Sequence, residues 1–163
     1  MSRRLVIDSR SFGTEGASLQ GELTVASLGR LLDLLTDSAG FLQYRIQGGI
    51  GPLGRSQWVV TVEGVLSLCC QRCLEAIDYR LEVRSLLEFV DDDGDLTQEE
   101  LEDDSRDFLP HQPELDVAVL IEDEILLALP NAPRHADCVL PGAGQPTARV
   151  SPFSVLAGFH GKA

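Results

Sequence analysis

The chain reads as an α+β domain built on an antiparallel sheet. Ile77, Tyr79, Leu81 and Val83 alternate with Asp78, Arg80, Glu82 and Arg84, the period of two that marks a half-buried strand. Val117, Leu120, Ile121, Glu124, Leu127 and Ala128 recur at helical spacing after Asp116, a good N-cap, and before Pro130, a stop. Between two runs that both read as strands stands Cys70-Gln71-Arg72-Cys73, which places a CxxC knuckle at the turn of an antiparallel pair.

Taken in order, residues 3–8 alternate weakly and predict a short first strand, and residues 13–17 a loop. Leu19 to Val25 predicts a strand. Ser27 then reads as the N-cap of a helix over 27–36, with Leu31, Leu32, Leu34 and Leu35 on its apolar side. Residues 41–47 alternate and predict the next strand. Gly49, Gly51 and Gly54 spell G-x-G-x-x-G, but a dinucleotide loop needs a helix after it. Here Trp58-Val59-Val60-Thr61-Val62 follows and Pro52 sits inside the motif, so the run reads as a connection between strands. Residues 57–69 predict a long β segment, with Glu63-Gly64 as a tight turn or bulge, and 75–89 its partner.

Residues 91–107 are strongly acidic. An EF-hand loop counted from Asp91 would place Leu96 where glycine is required, which excludes it. The run reads as a solvated loop with one helical turn, because Thr97 and Glu100 make a capping box. The helix over 116–129 follows. Pro133 then keeps an extended loop that delivers His135 and Cys138. Residues 141–150, rich in Pro and Gly, read as a linker, and Ser151-Pro152-Phe153 as the start of a short helix carrying Phe153, Leu156 and Phe159. The expected organisation is one α+β domain over 1–140 and a linker with a C-terminal tail helix over 141–163.

Composition narrows the function. The chain has 163 residues, 44% of them hydrophobic, enough for a single packed core. No apolar run approaches the roughly 20 residues of a bilayer span. The start carries no secretory pattern, so the expectation is a cytoplasmic protein without a membrane partner. The net charge is -13. That field repels nucleic acid within a Debye length of roughly 8–10 Å and attracts basic partners, ribosomal proteins among them.

The four cysteines suggest metal or redox chemistry rather than a disulfide framework. Cys70 and Cys73, with His135 and Cys138 some sixty residues later, form two short pairs that can wrap one zinc ion tetrahedrally. A redox pair or plain structural thiols are the other readings of the CxxC. The redox reading lacks the helix N-terminus that would lower the thiol pKa. Cys69 points to the opposite face of an extended backbone from Cys70 and reads as a core residue or a spare thiol. His111, His135 and His160 are the only histidines, and none sits beside a recognisable nucleophile motif, so the chain does not read as an enzyme.

Three blocks resemble the YceD-like proteins: Cys70-Gln71-Arg72-Cys73; Asp116 through Pro130 followed by His135 and Cys138; and Pro152-Phe153-Ser154-Val155-Leu156. The duplicate Cys69 is not a feature of that resemblance. The resemblance implies a bacterial protein supporting the accumulation or processing of large-subunit ribosomal RNA, with metal binding and nucleic-acid binding as associated properties. Joined to the acidic charge, it predicts a non-enzymatic assembly factor with a structural Zn2+ ion. Such a factor would bind a large-subunit ribosomal protein or pre-ribosomal particle through Asp91, Asp92, Asp93, Asp95, Glu122, Asp123, Phe153 and Leu156, with the RNA reached indirectly. The alternatives are direct RNA binding through Arg72, Arg80 and Arg84, and a metal-dependent RNA-processing enzyme.

Overall fold

The computed structural model describes residues 4–91, 96–142 and 153. Three long strands form its centre: β4 (Phe41–Ile50), β5 (Ser56–Cys69) and β6 (Ala76–Val90). They follow β1 (Val6–Ile7), α1 (Ser9–Thr14), β2 (Ser18–Thr24) and β3 (Leu35–Asp37). After them come α2 (Gln98–Leu101), β7 (Asp107–Pro110), β8 (Leu115–Asp116) and α3 (Val117–Ala128). The main sheet runs β2-β4-β5-β6-β7, with β3 also on β5, and β1 and β8 form a separate antiparallel pair. All pairings are antiparallel except β6 with β7. The α+β class therefore holds, in a mixed sheet. Among the described residues no helix is long and apolar enough to cross a membrane.

Strand alternation sets the core. Trp58, Val60, Val62, Leu66 and Leu68 of β5 are buried on one face, and Leu42, Tyr44 and Ile46 of β4 and Leu81, Val83 and Leu87 of β6 extend that face. Trp58 lies between Phe12 and Phe89, with ring centroids 4.8 and 4.6 Å away. Leu28, Leu31, Leu120, Ile121 and Ile125 complete the cluster. The opposite face carries rows such as Gln20, Arg45, Thr61 and Arg84, and is largely open.

Several expectations need correction. Residues 27–36 do not form a helix. The chain makes two 3-10 turns, Val25–Ser27 and Leu32–Leu34, before β3. The apolar residues that go inside are Val25, Leu28 and Leu31, a spacing of three that suits a 3-10 ridge better than an α-helix. Gly29 weakens the α alternative, and the Arg30 amide donates to Glu122 instead of to a helical carbonyl.

Glu63-Gly64 is neither turn nor bulge, because β5 runs through it in unbroken register with both neighbours. A Cβ on Gly64 would lie 2.4 Å from a Leu42 methyl, so the glycine makes room for a core side chain. Residues 48–50 continue β4 beyond the expected end.

Helix α1 was not expected. Asp8 caps it, accepting from the amides of Arg10 and Ser11. Strand β7 was also unexpected. It is short, parallel and ends on a proline, so it shows no alternation to read. The capping box of α2, the Asp116 cap of α3 and the stop before Pro130 are as expected. The first strand shrinks to two residues among those described. Apart from Phe153, the tail helix lies outside the described residues.

Carboxylates inside the fold are committed. Glu88, 1% exposed, accepts from Arg55 at 3.1 Å and Arg106 at 3.0 Å, and Arg55 also reaches Glu100 at 2.6 Å. This network ties α2 and the acidic segment to the end of β6.

Glu124 is buried on α3. Burial holds its carboxyl above the usual carboxylate range, with a hydrogen bond to Ser85 acting the other way and Asp107 and Asp123 adding to the rise. The folded state keeps this proton to higher pH than the unfolded chain does. Its stabilising share is therefore present in acid and lost as pH rises through the folded-state value. Glu124→Gln is expected to raise stability at pH 7 and to match the parent below the ordinary glutamate value of 4.5. Urea unfolding at the two pH values checks this, and a less stable Gln variant at pH 7 contradicts it.

Candidate metal centre

The β5–β6 hairpin ends in a loop shaped by its own backbone. The Cys70 amide donates to Glu75 O at 2.9 Å, and the Leu74 amide donates back to Cys70 O at 2.9 Å. Leu74 takes φ 65°, the left-handed region that glycine prefers. Its side chain is 66% exposed, so it gains no packing in return. Leu74→Gly is expected to stabilise the chain by about 0.5–1 kcal/mol, the strain relieved being partly offset by glycine's freedom when unfolded. Equal or lower stability on chemical denaturation would count against that reading of the turn.

The loop after α3 lies against this turn. The Gln71 amide donates to Pro133 O at 2.8 Å, and the Arg72 guanidinium donates to Cys138 O at 2.9 Å. Hydrogen bonds of the protein's own thus join the two segments.

Between them, Cys70, Cys73, His135 and Cys138 bring ligand atoms that all lie within 4.8 Å of one another, and these residues could hold a metal ion. Cys70 and Cys138 sulfurs are 3.7 Å apart, and His135 Nδ1 is 3.3 Å from the Cys73 sulfur. His135 Nε2 faces Ala76 O at 3.0 Å, which assigns it the proton and leaves Nδ1 as the ligand atom. Cys69 turns away from the cluster, its sulfur lying near the carbonyls of Cys70 and Leu74.

The electrostatics suit a cation. Burial pushes the Cys70 thiol up, but the amides of Cys73, Arg72 and His135 outweigh it and bring the thiol down to about 5. Burial, and then the Cys70 and Cys73 sulfurs, push the Cys138 thiol up. Cys70 is thus biased toward the thiolate while Cys138 resists ionisation beside it, and a bound cation would relieve that resistance.

A family model described as large ribosomal RNA subunit accumulation protein YceD matches residues 59–159. The chain belongs to the YceD family. The match takes in most of the β5–β6 hairpin, α3 and all four residues of the cluster, so the YceD stretch contains the candidate metal centre whole. Its description gives the family a role in accumulation of large-subunit ribosomal RNA. No match was found among curated proteins or among solved structures.

The other expected site residues of this YceD chain fall only partly among the described residues. Asp91 is exposed and pairs with Arg10. Asp92, Asp93, Asp95 and Leu156 lie outside the described residues, and Phe153 is 72% exposed. Asp123 pairs with Arg30 at 2.6 Å.

Glu122 is not part of an open acidic face. It is 7% exposed and accepts from the Arg30 and Leu31 amides at 2.7 and 3.3 Å and from Arg30 Nε at 2.9 Å. Its position in the helix turns it toward the 28–31 segment, which needs those acceptors.

The three arginines do not cluster. Arg72 serves the metal loop, Arg80 pairs with Glu82, and Arg84 sits roughly 13 Å farther along β6 from Arg80 at strand spacing. A serine–histidine contact went unread in the sequence: Ser9 Oγ lies 3.1 Å from His111 Nδ1. Ser9 is fully buried and also accepts from the Gln112 amide, so the pair fastens α1 to the strand-end loop.

Proposed function

We propose that this protein is a non-enzymatic factor for accumulation of large-subunit ribosomal RNA. It acts by docking on a basic large-subunit ribosomal protein, alone or within a pre-ribosomal particle. The family match over residues 59–159 is the observation that carries this reading. The charge of -13 supports a basic protein rather than bare RNA as the direct partner, because it speeds encounter with the first and repels the second.

Within this reading Cys70, Cys73, His135 and Cys138 hold one structural Zn2+ ion. Ligands at about 2.3 Å from zinc in a tetrahedron place sulfurs about 3.8 Å apart, and the Cys70–Cys138 separation of 3.7 Å supports that fit. Four protein ligands leave no open position for a hydrolytic water. The docking surface is the acidic run Asp91, Asp92, Asp93 and Asp95 with Asp123, joined by Phe153 and Leu156 of the tail.

The test is association of the full chain with purified large-subunit ribosomal proteins at several salt concentrations. Changing Asp91, Asp92, Asp93 and Asp95 to asparagine is expected to slow association severalfold and flatten its salt dependence. Unchanged rates sink the docking surface. Salt-sensitive binding to protein-free ribosomal RNA, lost on substituting Arg80 and Arg84, would favour direct RNA recognition instead.

A further inference from the structure

Helix α3 is apolar on two sides. Leu120, Ile121 and Ile125 enter the core, while Val119 and Leu127 remain 46% and 75% exposed. A surface helix ordinarily turns its charged face outward. Here Glu122 and Glu124 are buried and Asp123 is paired with Arg30, so Val119 and Leu127 stand as exposed apolar side chains on the outer side, with Leu126 partly buried beside them.

That outer side is one wall of a groove of about 570 Å³, whose other wall is Phe108 and Leu109 of β7. Asp107, Glu114, Asp116, Asp123 and Glu124 line it; among the described residues Arg4 is the one lining cation and is paired with Asp116, while Asp123 is paired with Arg30 from outside the groove. Strand β7 is the last in the sheet, but Pro110 deprives it of an amide. Addition of a further strand is thereby blunted, and an occupant must gain its contacts through side chains.

We infer that the groove between α3 and β7 docks a basic amphipathic helix of a partner protein, apolar side chains entering between Leu127 and Phe108 and lysines or arginines meeting the rim. An apolar floor under an acidic rim complements that chemistry, whereas nucleic acid or an anionic membrane would meet like charge. The inference rests on the proposed reading that the protein docks a basic partner, and it adds where and by what shape.

The experiment titrates the full chain into a fluorescein-labelled model peptide of leucine and lysine, leucines at helical spacing, and reads anisotropy. A second peptide carries serine for every leucine and the same charge. The double variant Val119→Ser, Leu127→Ser is expected to bind the leucine peptide at least about tenfold more weakly. Its thermal midpoint and its binding of the serine peptide should not change, because both residues are exposed and neither is charged.

Equal binding of the leucine peptide by parent and double variant overturns the inference. So does a dimeric parent made monomeric by the double variant, since a second copy would then fill the groove. A full-length Leu156→Glu, Phe159→Glu variant that binds the leucine peptide about tenfold more tightly also overturns it, by assigning the groove to the chain's own terminus. The outcomes separate the two proposals. Peptide binding as expected without binding to any large-subunit protein sinks the proposed function alone. Large-subunit protein binding undiminished in the double variant sinks the groove alone.

Discussion

Cys138→Ser is expected to lower bound zinc from about one per chain to nearly none and to destabilise the domain by about 3–5 kcal/mol. Zinc holding four ligands across two distant segments contributes directly to folding energy, with apparent values of about 10–16 kcal/mol in small zinc-dependent peptides. Here a smaller contribution is expected, because a core and the Gln71–Pro133 and Arg72–Cys138 hydrogen bonds already hold the segments together. A loss of that size lowers the thermal midpoint by roughly 10 °C in a chain of this length. A strong chelator should do the same to the parent and little to the variant. Cys69→Ser is the control, since that sulfur faces carbonyl oxygens outside the cluster and should leave both metal and midpoint unchanged. Metal-free protein from an untreated preparation, with equal midpoints for Cys138→Ser and parent, would exclude the zinc.

Trp58→Ala is expected to cost about 3–5 kcal/mol, a cavity of the largest kind a core can hold. The indole is fully buried and touches rings from two elements, Phe12 of α1 and Phe89 of β6. Each ring contact adds about 0.5–1.5 kcal/mol to the area buried. The effect should spread to α1, whose carbonyl at Phe12 lies against Gly48 so closely that a Cβ there would stand 2.4 Å away. Trp58→Phe should cost much less, because the indole Nε1 has no hydrogen-bond partner among the described residues for the change to remove. Circular dichroism during urea unfolding compares the two. If alanine and phenylalanine cost the same, the ring sandwich is not what holds α1 to the sheet.

Local signals made the centre of the fold legible. Alternation over 41–47, 57–69 and 75–89 marks strands that have one face in the core, and such strands must alternate. Asp116 and Pro130 bracket α3 because helix ends have their own chemistry. The grouping of Cys70, Cys73, His135 and Cys138 was readable because short ligand spacings survive whatever the intervening sixty residues do.

The misreadings share a cause: tertiary partners decided what the local pattern left ambiguous. Leucines at 31, 32, 34 and 35 suit an α-helix or a 3-10 ridge, and the choice falls to Glu122, which offers acceptors to the Arg30 and Leu31 amides. Glu122 itself looked like solvated surface for the same reason. Strand β7 owes its existence to its parallel pairing with β6, and the register that aligns Leu87 with Asp107 leaves no trace in composition. Leu74 sits where glycine would have announced the left-handed turn.

The joining of Cys70 to Cys138 also has a consequence for synthesis. These residues are 68 positions apart in the chain. At about 5–20 residues per second the second half of the site follows the first by roughly 3–14 s. For part of that interval, from the end of β6 at Val90 to the start of α3 at Val117, the β4–β5–β6 sheet can form while α3, which covers much of its apolar face, has yet to be made. A hairpin closes within microseconds, so the nascent chain spends seconds as a bare sheet with two cysteines waiting at its tip. Early chelation by Cys70 and Cys73 alone would offer a metal only half a shell. The order of synthesis thus makes closure of the centre a late event, and pairs it in time with the arrival of the helix that covers the core.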